Sequence, residues 1–291
     1  MLESINYLPA SSATAFQVYL LMISPNTTVR RDWTREELIA AFNLYCQLPF
    51  GKLHKTNPQI MQLARLLERT ASSVSMKLVN FASLDPAITA NGRVGLKGAS
   101  KLDREIWAEF NADWAGLADE SQLALETLAK EHGETLQFEE LSAESVDQVV
   151  ETLAVGRARS AIVQVRVNQS FFRRAVLASY QGRCCMSGVN HSRLLVASHI
   201  VPWSQDVANR LNPHNGLCLS ALHDRAFDSG LISLNNDYQI IISDKLKHKA
   251  DEFTQVNLLS LQGKAITLPE KFLPDRAFLE KHRTTFEANC G

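Results

Sequence analysis

One ordered set of residues in the second half of the chain restricts the fold more than any other feature. Residues 194–200 are apolar and β-prone, and His199 lies near their end. A polar loop then leads to Asn215, and residues 223–228, which begin with His223, lie on the helix predicted to follow. The sequence therefore predicts a strand, a loop and a helix in that order, each contributing one polar side chain.

This arrangement resembles the ββα-metal core of the HNH endonucleases. The matching branch of that family reads Ala-x-His-Ile-x-Pro, then Asn-Gly-Leu, then His with Phe-Asp-x-Gly. Residues 197–202, 215–217 and 223–230 carry these pieces in the same order, and Cys184-x-x-Ser187-Gly188 before them also suits the branch. The resemblance covers about residues 165–245, where residues 230–234 and 238–242 are further predicted to form a hairpin.

The resemblance implies a role for each polar residue. His199 matches the general base, Asn215 matches the asparagine that braces the loop, and His223 matches the metal ligand on the helix. Asp224 and Asp228 follow on the same helix, and either of them is a further candidate ligand, directly or through water. The implied cofactor is Mg²⁺ or Mn²⁺, which offsets charge on the phosphate and on the departing oxygen.

Ser198 departs from the family pattern. Many relatives carry Asp or His at this position, directly before the general base, as a metal ligand. Serine is a poor ligand, so the second protein ligand stays unassigned, and His199 itself is an alternative ligand.

The cysteines indicate the compartment. The chain has five, an odd number, and their spacing does not form a disulfide framework, so we expect a reducing cytoplasm. No Cys-x-x-Cys pair is present, so a structural zinc is not expected. We also expect no secretory signal and no membrane partner, because no run approaches the ~18 apolar residues that a membrane span needs.

The N-terminal half is predicted to be helical. Thr34 and Glu37 form a capping-box pattern ahead of a helix that Pro49 ends. A second helix starts at Pro58, and a third covers residues 72–81. The last two helices suit either a helix-turn-helix or an ordinary three-helix bundle.

The fold class that follows is α+β, a mainly helical N-terminal domain joined to a C-terminal HNH ββα-metal domain. We place the helical, helix-turn-helix-like recognition domain at residues 30–115 and an acidic connector at residues 116–160. The nuclease domain with a C-terminal extension covers residues 161–291.

The net charge of −1 conceals an uneven distribution. Residues 1–102 carry 11 Lys or Arg against 6 Asp or Glu, and residues 161–250 carry 10 against 5. Between them, residues 103–151 carry 2 against 14. Two basic blocks suit a nucleic-acid partner. The candidate DNA contacts are Lys77, Arg93, Lys97, Arg173, Arg174 and Arg225. Arg93 and Lys97 lie in a glycine-rich loop that suits either phosphate binding or a solvated hairpin.

These features predict a metal-dependent endonuclease that hydrolyses double-stranded DNA. The overall plan resembles bacterial restriction endonucleases whose N-terminal domain reads sequence or modified cytosine. A homodimer is expected, because each chain offers one active site for two strands, and the apolar tail suits a dimer helix. The candidate residues for an aromatic cage around a modified base, which suit core packing equally well, are Trp33, Tyr45, Trp107 and Phe110. The apolar tail residues are Phe272, Leu273, Phe278 and Leu279.

Two alternatives stay open. One is a defence nuclease that acts on RNA or on nonspecific DNA. The other is a DNA-binding regulator with a degenerate HNH fold, which Ser198 favours.

Overall fold

The computed structural model describes residues 31–90, 98–135, 157–248 and 250–290. Every helix and strand of these residues lies in one compact unit, Trp33–Gly291. The basic loop with Arg93 and Lys97 lies outside the described residues, as does the acidic segment 136–156. None of the described helices combines the length and the apolar character needed to cross a membrane.

The elements of the first half are helical. The helices are α1 Arg35–Gln47, α2 Pro58–Leu66, α3 Ala71–Ala82, α4 Pro86–Ala90, α5 Lys101–Ala112 and α6 Trp114–Glu131, with a 3₁₀ turn at Phe50–Lys52.

The second half mixes helices and short strands. In chain order the elements are α7 Arg157–Ser179, β1 Leu195–His199, β2 Gly216–Ser220, α8 Ala221–Asp228, β3 Ile232–Leu234, β4 Ile240–Ile242, α9 Asp244–Lys247, α10 Glu252–Asn257 and α11 Arg276–Cys290. Further 3₁₀ turns occupy Ser192–Leu194, Pro213–Asn215 and Leu259–Leu261. The predicted α+β class is confirmed.

Local signals begin the N-terminal helices where they were predicted. The Thr34 hydroxyl accepts a hydrogen bond from the Glu37 amide, and the Glu37 carboxylate accepts one from the Thr34 amide, which completes the capping box. The Asn57 side chain caps α2 ahead of Pro58. The three predicted helices are confirmed, and α3 extends one residue beyond the prediction at each end.

The helical core is built around the ring of Phe42. This ring lies 4.2 Å from that of Phe110 and 5.0 Å from that of Phe81, measured between centroids. Tyr45 is fully buried among them, and Trp107 packs against the same cluster. Three of the aromatic residues considered for a cage therefore belong to the core.

The first part of the predicted connector is the helix α6, which packs along α1. The buried Asn43 amide donates to the Ser121 hydroxyl at 2.8 Å. Near the start of α1, the Arg35 guanidinium pairs with Glu109 of α5 and Glu120 of α6. Hence residues 114–131 share one core with the N-terminal helices.

The second half contains the predicted strand pair and helix. Strands β1 and β2 are antiparallel, with His199 opposite Gly216, and α8 follows β2 directly. A Cβ at Gly216 would lie 2.3 Å from the Val176 side chain and 3.1 Å from that of Phe172, so α7 packs against the bare backbone of β2. The second predicted hairpin is confirmed as β3 and β4.

The C-terminal segment is buried within its own chain. Helix α11 packs on β3, and its Leu279 and Phe278 are 0% and 7% exposed. Phe272, which precedes it, is 1% exposed. These side chains are therefore not available for the dimer contact that their sequence suggested.

A buried lysine joins the C-terminal segment to the N-terminal helices. Lys271 is 0% exposed, and its ammonium lies 4.5 Å from the centroid of the Tyr45 ring. Its Nζ donates to three backbone carbonyls at and just beyond the end of α1, those of Tyr45, Cys46 and Leu48, at 2.5, 3.1 and 2.7 Å. The last carbonyls of a helix have no partner within it, so Lys271 supplies the missing donors.

The neighbouring residue anchors the same segment. Phe272 has a φ of 54°, a left-handed conformation that costs a non-glycine residue on the order of 1 kcal/mol. Its amide donates to the buried carboxylate of Asp85 at 3.1 Å. The strained turn is thus held by a hydrogen bond to the helical core.

We expect Lys271→Met to lower the free energy of unfolding by roughly 2–4 kcal/mol, because it removes a buried charged donor from three carbonyls. Chemical denaturation measures this loss. Lys264→Met, on an exposed lysine, is the control and is expected to leave the stability within about 0.5 kcal/mol. A loss no larger in Lys271→Met than in the control would contradict the role given to Lys271.

Wild type and Lys271→Met are also expected to differ in how their free energy of unfolding depends on pH. Burial lowers the pKa of Lys271 to about 8, from an ordinary value of 10.5. Between those values the unfolded chain binds a proton that the folded chain lacks, so stability due to Lys271 rises with pH, by up to about 1.4 kcal/mol per pH unit. The stability difference between wild type and Lys271→Met is therefore expected to grow from pH 8 to pH 10.

Candidate functional site

A cavity of about 460 Å³ lies between β1, α8 and α11. Strand β1 and the turn after it form one side, and the second half of α8 and the middle of α11 form the others. The polar side chains that line it are Ser198, His199, Gln205, Asp224, Asp228, Lys281, His282 and Thr285.

His199 is held in one orientation by its surroundings. Its ring stacks on Phe172 of α7, with 3.8 Å between centroids and 8° between planes. Trp203 meets the ring edge-on at 5.6 Å, and Nε2 lies 2.9 Å from the carbonyl oxygen of Arg210. A carbonyl only accepts, so Nε2 carries the proton and Nδ1 of the neutral ring keeps its lone pair.

The protonation state of His199 follows from its burial. Burial lowers the pKa of His199, and the hydrogen bond to the Arg210 carbonyl opposes this only in part. The imidazole is therefore neutral at pH 7. A neutral, oriented imidazole with a free lone pair is suited to accept a proton.

Asn215 fixes the chain just beyond His199. Its side chain is fully buried, and Oδ1 accepts from the Val201 amide at 2.8 Å. Its Nδ2 donates to the Val201 carbonyl at 3.1 Å and, more weakly, to that of Asn209 at 3.4 Å. The bracing role that the sequence suggested for Asn215 fits this placement, because the two bonds to Val201 hold the turn after β1.

Asp224 and Asp228 lie one turn apart on α8 and face the same cavity. Burial raises the pKa of Asp224, and the Ser198 hydroxyl and the charge of Arg225 act in the opposite direction. Burial and the charge of Asp224 raise the pKa of Asp228. The two carboxylates thus repel each other beside His199.

His223 is directed elsewhere. Its Nδ1 lies 2.7 Å from the Ser220 hydroxyl and 3.6 Å from the Cys184 sulfur, and its Nε2 lies 3.2 Å from the Asn257 carbonyl. It is 4% exposed and is not among the residues that line the cavity. Of the three candidate ligands that the sequence suggested on this helix, Asp224 and Asp228 face the cavity that His199 lines, and His223 does not.

Cys184 and His223 form a buried polar pair. Burial acts to raise the pKa of the Cys184 thiol, but hydrogen bonds from His223 and Ser187 prevail and lower it to about 6. Burial acts to lower the pKa of His223, and the bond to Cys184 outweighs it and raises that pKa. The pair ties α8 to the turn before β1.

Three of the predicted DNA contacts are engaged within the fold. Lys77 pairs with the buried Asp103 at 2.7 Å, and Arg173 donates to the carbonyls of Leu195 and Ser192. Arg174, whose pKa burial lowers to about 10, donates to the side chains of Gln47 and Ser170. Arg225 is exposed on α8.

Sequence reasoning missed the contribution of α11. Lys281 and His282 line the cavity from this helix, more than 50 positions beyond α8. His282 stacks on Phe227 at 3.7 Å, and burial lowers its pKa to about 4, so it is neutral and structural. The basic triplet 281–283 was the available signal, but nothing local connected it to His199.

The donors that face the cavity suit a hard divalent cation. Two carboxylates with adjacent space for water and phosphate oxygens are the usual protein contribution to a Mg²⁺ site. Among the residues that the structure describes, no three His, Cys, Asp or Glu side chains are grouped to hold a metal ion. The donor set therefore fits a cation held by Asp224 and Asp228 together with water and substrate.

Part of the chain that lines the cavity matches a known protein family. Residues 184–235 match the HNH_2 family model, described as HNH endonuclease. The match begins at Cys184 and covers β1, β2, α8 and β3, and α11 lies beyond it. No curated protein matches the chain. The chain thus contains an HNH endonuclease domain, which implies nuclease activity and, in this family, a divalent metal.

We expect Asn215→Ala to lower the free energy of unfolding by roughly 1–3 kcal/mol, because it leaves the buried amide and carbonyl of Val201 without partners. The turn after β1 then loosens, and nuclease activity falls with stability. Denaturant unfolding and an activity assay on the same samples measure both. Asn236→Ala, on an exposed turn residue, is the control. Full stability in Asn215→Ala would contradict the bracing role.

Proposed function

We propose that this chain, which carries an HNH endonuclease domain at residues 184–235, hydrolyses phosphodiester bonds of double-stranded DNA with the help of Mg²⁺ or Mn²⁺. The observation that carries the proposal is a neutral, oriented His199 in one cavity with two carboxylates. A base and a pair of hard oxygen donors are the groups that metal-assisted phosphodiester hydrolysis needs.

In the mechanism that we propose, His199 acts as the general base. Its Nδ1 takes a proton from a water molecule, and the water oxygen attacks phosphorus in line with the bond to the 3′ oxygen. That bond breaks as the new P–O bond forms, and the 3′ oxygen leaves and is protonated by solvent. The Arg210 carbonyl accepts from Nε2–H throughout, which stabilises the imidazolium that forms.

The metal is assigned to the carboxylates of α8. Asp224 and Asp228 are the residues that we propose hold it, and His223 is given the structural role that its hydrogen bonds support. When bound, a divalent cation supplies charge neutralisation at the phosphate and at the leaving oxygen. Ser198 lines the same cavity as Asp224, at the position that is a metal ligand in many relatives.

The substrate is part of the proposal. We propose DNA, with recognition of sequence or modified cytosine by the N-terminal helices, as in the restriction endonucleases that the plan of the chain resembles. Arg225 is the exposed cation of α8 and is the proposed phosphate contact there. A homodimer is proposed because each chain brings one HNH domain to two strands. A cytoplasmic location is proposed from the odd cysteine count.

The decisive experiment compares wild type with His199→Ala on unmodified, methylated and hydroxymethylated DNA and on RNA, with Mg²⁺, Mn²⁺ or a chelator. Cleavage of DNA that needs a metal and His199 supports the proposal. Cleavage of RNA alone supports the defence nuclease. No cleavage of any substrate by wild type supports the DNA-binding regulator, and equal cleavage of all three DNAs removes the dependence on modification.

We expect Asp224→Asn to abolish cleavage at low Mg²⁺ and to recover part of it at high Mg²⁺, because one of two charged donors is lost. His223→Gln is expected to destabilise the protein while keeping the wild-type dependence on Mg²⁺. Asp237→Asn, on the exposed β3–β4 turn, is the control for loss of one carboxylate. A shift of the Mg²⁺ dependence in His223→Gln and none in Asp224→Asn would return the ligand role to His223.

The pH dependence of cleavage follows from the state of His199. Burial lowers the pKa of His199 below the ordinary 6.5, so the base is mostly unprotonated at pH 7. We expect the cleavage rate to fall as the pH is lowered through the pKa of the imidazole, with the midpoint of the fall below 6.5. In Phe172→Leu, which uncovers one face of the ring, the fall is expected to move to higher pH. A loss of rate towards low pH with its midpoint above pH 7.5 in wild type would contradict the role of a buried, neutral His199 as the base.

A further inference from the structure

The wall of the cavity formed by α11 supplies its positive charge. Among the described residues that line the cavity, Lys281 is the only lysine or arginine, and it faces a space that also holds Asp224 and Asp228. Helix α11 lies outside the residues that match the HNH endonuclease model. The cation is therefore a feature of this chain's own C-terminal extension.

The Lys281 side chain is available to a ligand. It is 60% exposed, and its Nζ lies 3.5 Å from Asp206 Oδ2 in the loop that follows β1. The Asp206 side chain is 14% exposed, but an ion pair this long with an exposed lysine contributes little, in general below about 1 kcal/mol, so a phosphate can compete for the ammonium. Asp206 has other partners, since its carboxylate also accepts from the amide and the side chain of Asn209.

The position of Lys281 relative to His199 indicates which part of a substrate Lys281 contacts. His199 and Lys281 line the same cavity from opposite elements, β1 and α11, and Asp224 and Asp228 lie on α8. A DNA strand whose scissile phosphate approaches His199 brings further phosphates along the cavity. An ammonium on the wall is suited to contact such a phosphate and fix the register of the strand.

We infer that Lys281 binds a backbone phosphate of the DNA strand that is cut, and so positions the scissile phosphate at His199. The inference rests on the proposed function and adds a binding residue from α11. Each contact between a cation of the protein and a phosphate releases counterions when DNA binds. Removal of Lys281 is therefore expected to weaken DNA binding and to make that binding less dependent on salt.

The test measures binding of a short labelled DNA duplex by the full chain over a series of KCl concentrations. A His199→Ala background prevents cleavage during the measurement. We expect Lys281→Ala to weaken binding roughly threefold to tenfold and to reduce the slope of log Kd against log[KCl] by about 0.9. Lys281→Arg is expected to restore most of both. Lys264→Ala, an exposed lysine that does not line the cavity, is the control and is expected to keep the wild-type slope.

A second variant separates phosphate binding from a structural role of the ion pair. Asp206→Asn removes the competing charge and keeps an acceptor for Asn209, so it is expected to tighten DNA binding modestly. If the pair only supports the fold, Asp206→Asn weakens binding as much as Lys281→Ala does, and the inference is overturned. Thermal unfolding of each variant checks that the fold is retained.

The kinetic measurement uses proteins in which His199 is intact, so that they can cleave DNA. Lys281→Ala is expected to raise KM and, because the scissile phosphate is then held less precisely at His199, to lower kcat by a smaller factor. Unchanged affinity and salt slope in Lys281→Ala overturn this inference alone when wild type binds and cuts DNA. A wild type that neither binds nor cuts DNA overturns the proposed function, and this inference with it.

Discussion

The two hydrogen bonds between the Asn215 side chain and the Val201 backbone are the interaction on which the site depends. Strands β1 and β2 pair with each other as far as His199 and Gly216. Beyond that point the Asn215 side chain takes the place of a strand partner and bonds both the amide and the carbonyl of Val201. The chain can therefore turn away at Val201 without leaving a buried amide unsatisfied. This turn carries Trp203 to the edge of the His199 ring and brings the Arg210 carbonyl back to Nε2. The orientation of the base is thus a consequence of one buried amide.

The packing beneath the strands completes this support. Phe172 covers one face of the His199 ring, and it can reach that ring because Gly216 has no side chain in its path. Since Phe172 lies on α7, the base is positioned by residues on both sides of the sheet. Burial by these groups, rather than a neighbouring carboxylate, sets the pKa of His199.

Polar bonds also connect the helical first half to the nuclease half. Arg174 of α7 donates to Gln47 at the end of α1, and Lys271 donates to the carbonyls just beyond it. Both cations are largely buried, and breaking either contact would leave a charge in the interior. Movement of the N-terminal helices relative to the HNH domain therefore carries a high cost.

The sequence predicted those helices and strands whose position is decided by interactions between residues close together in the chain. The cap at Thr34, Pro58 at the start of α2 and the β-prone run before His199 each act within a few residues, and the corresponding elements are confirmed. The sequence left both His223 and Asp224 as candidate ligands, and no local signal decides between them. The two are adjacent in sequence but about 100° apart around a helix, and which one faces β1 depends on how α8 packs. Lys271 and Lys281 were missed for the same reason, since their partners lie about 225 and 75 positions away.

The charges that line the cavity explain why binding of a divalent cation and binding of a phosphate depend on each other. Two carboxylates in one cavity disfavour an approaching phosphate, and burial raises the pKa of both Asp224 and Asp228 while the charge of Arg225 lowers it only in part. A divalent cation removes this repulsion, and a bound phosphate in turn supplies oxygen ligands that the protein lacks. In the proposed mechanism, binding of the cation and binding of DNA are then coupled, and each strengthens the other by the same factor. The Lys281 ammonium acts on both in opposite directions, because it attracts a phosphate and repels a cation that binds without DNA. A lysine at this place therefore favours the order in which DNA binding recruits the metal, rather than the reverse.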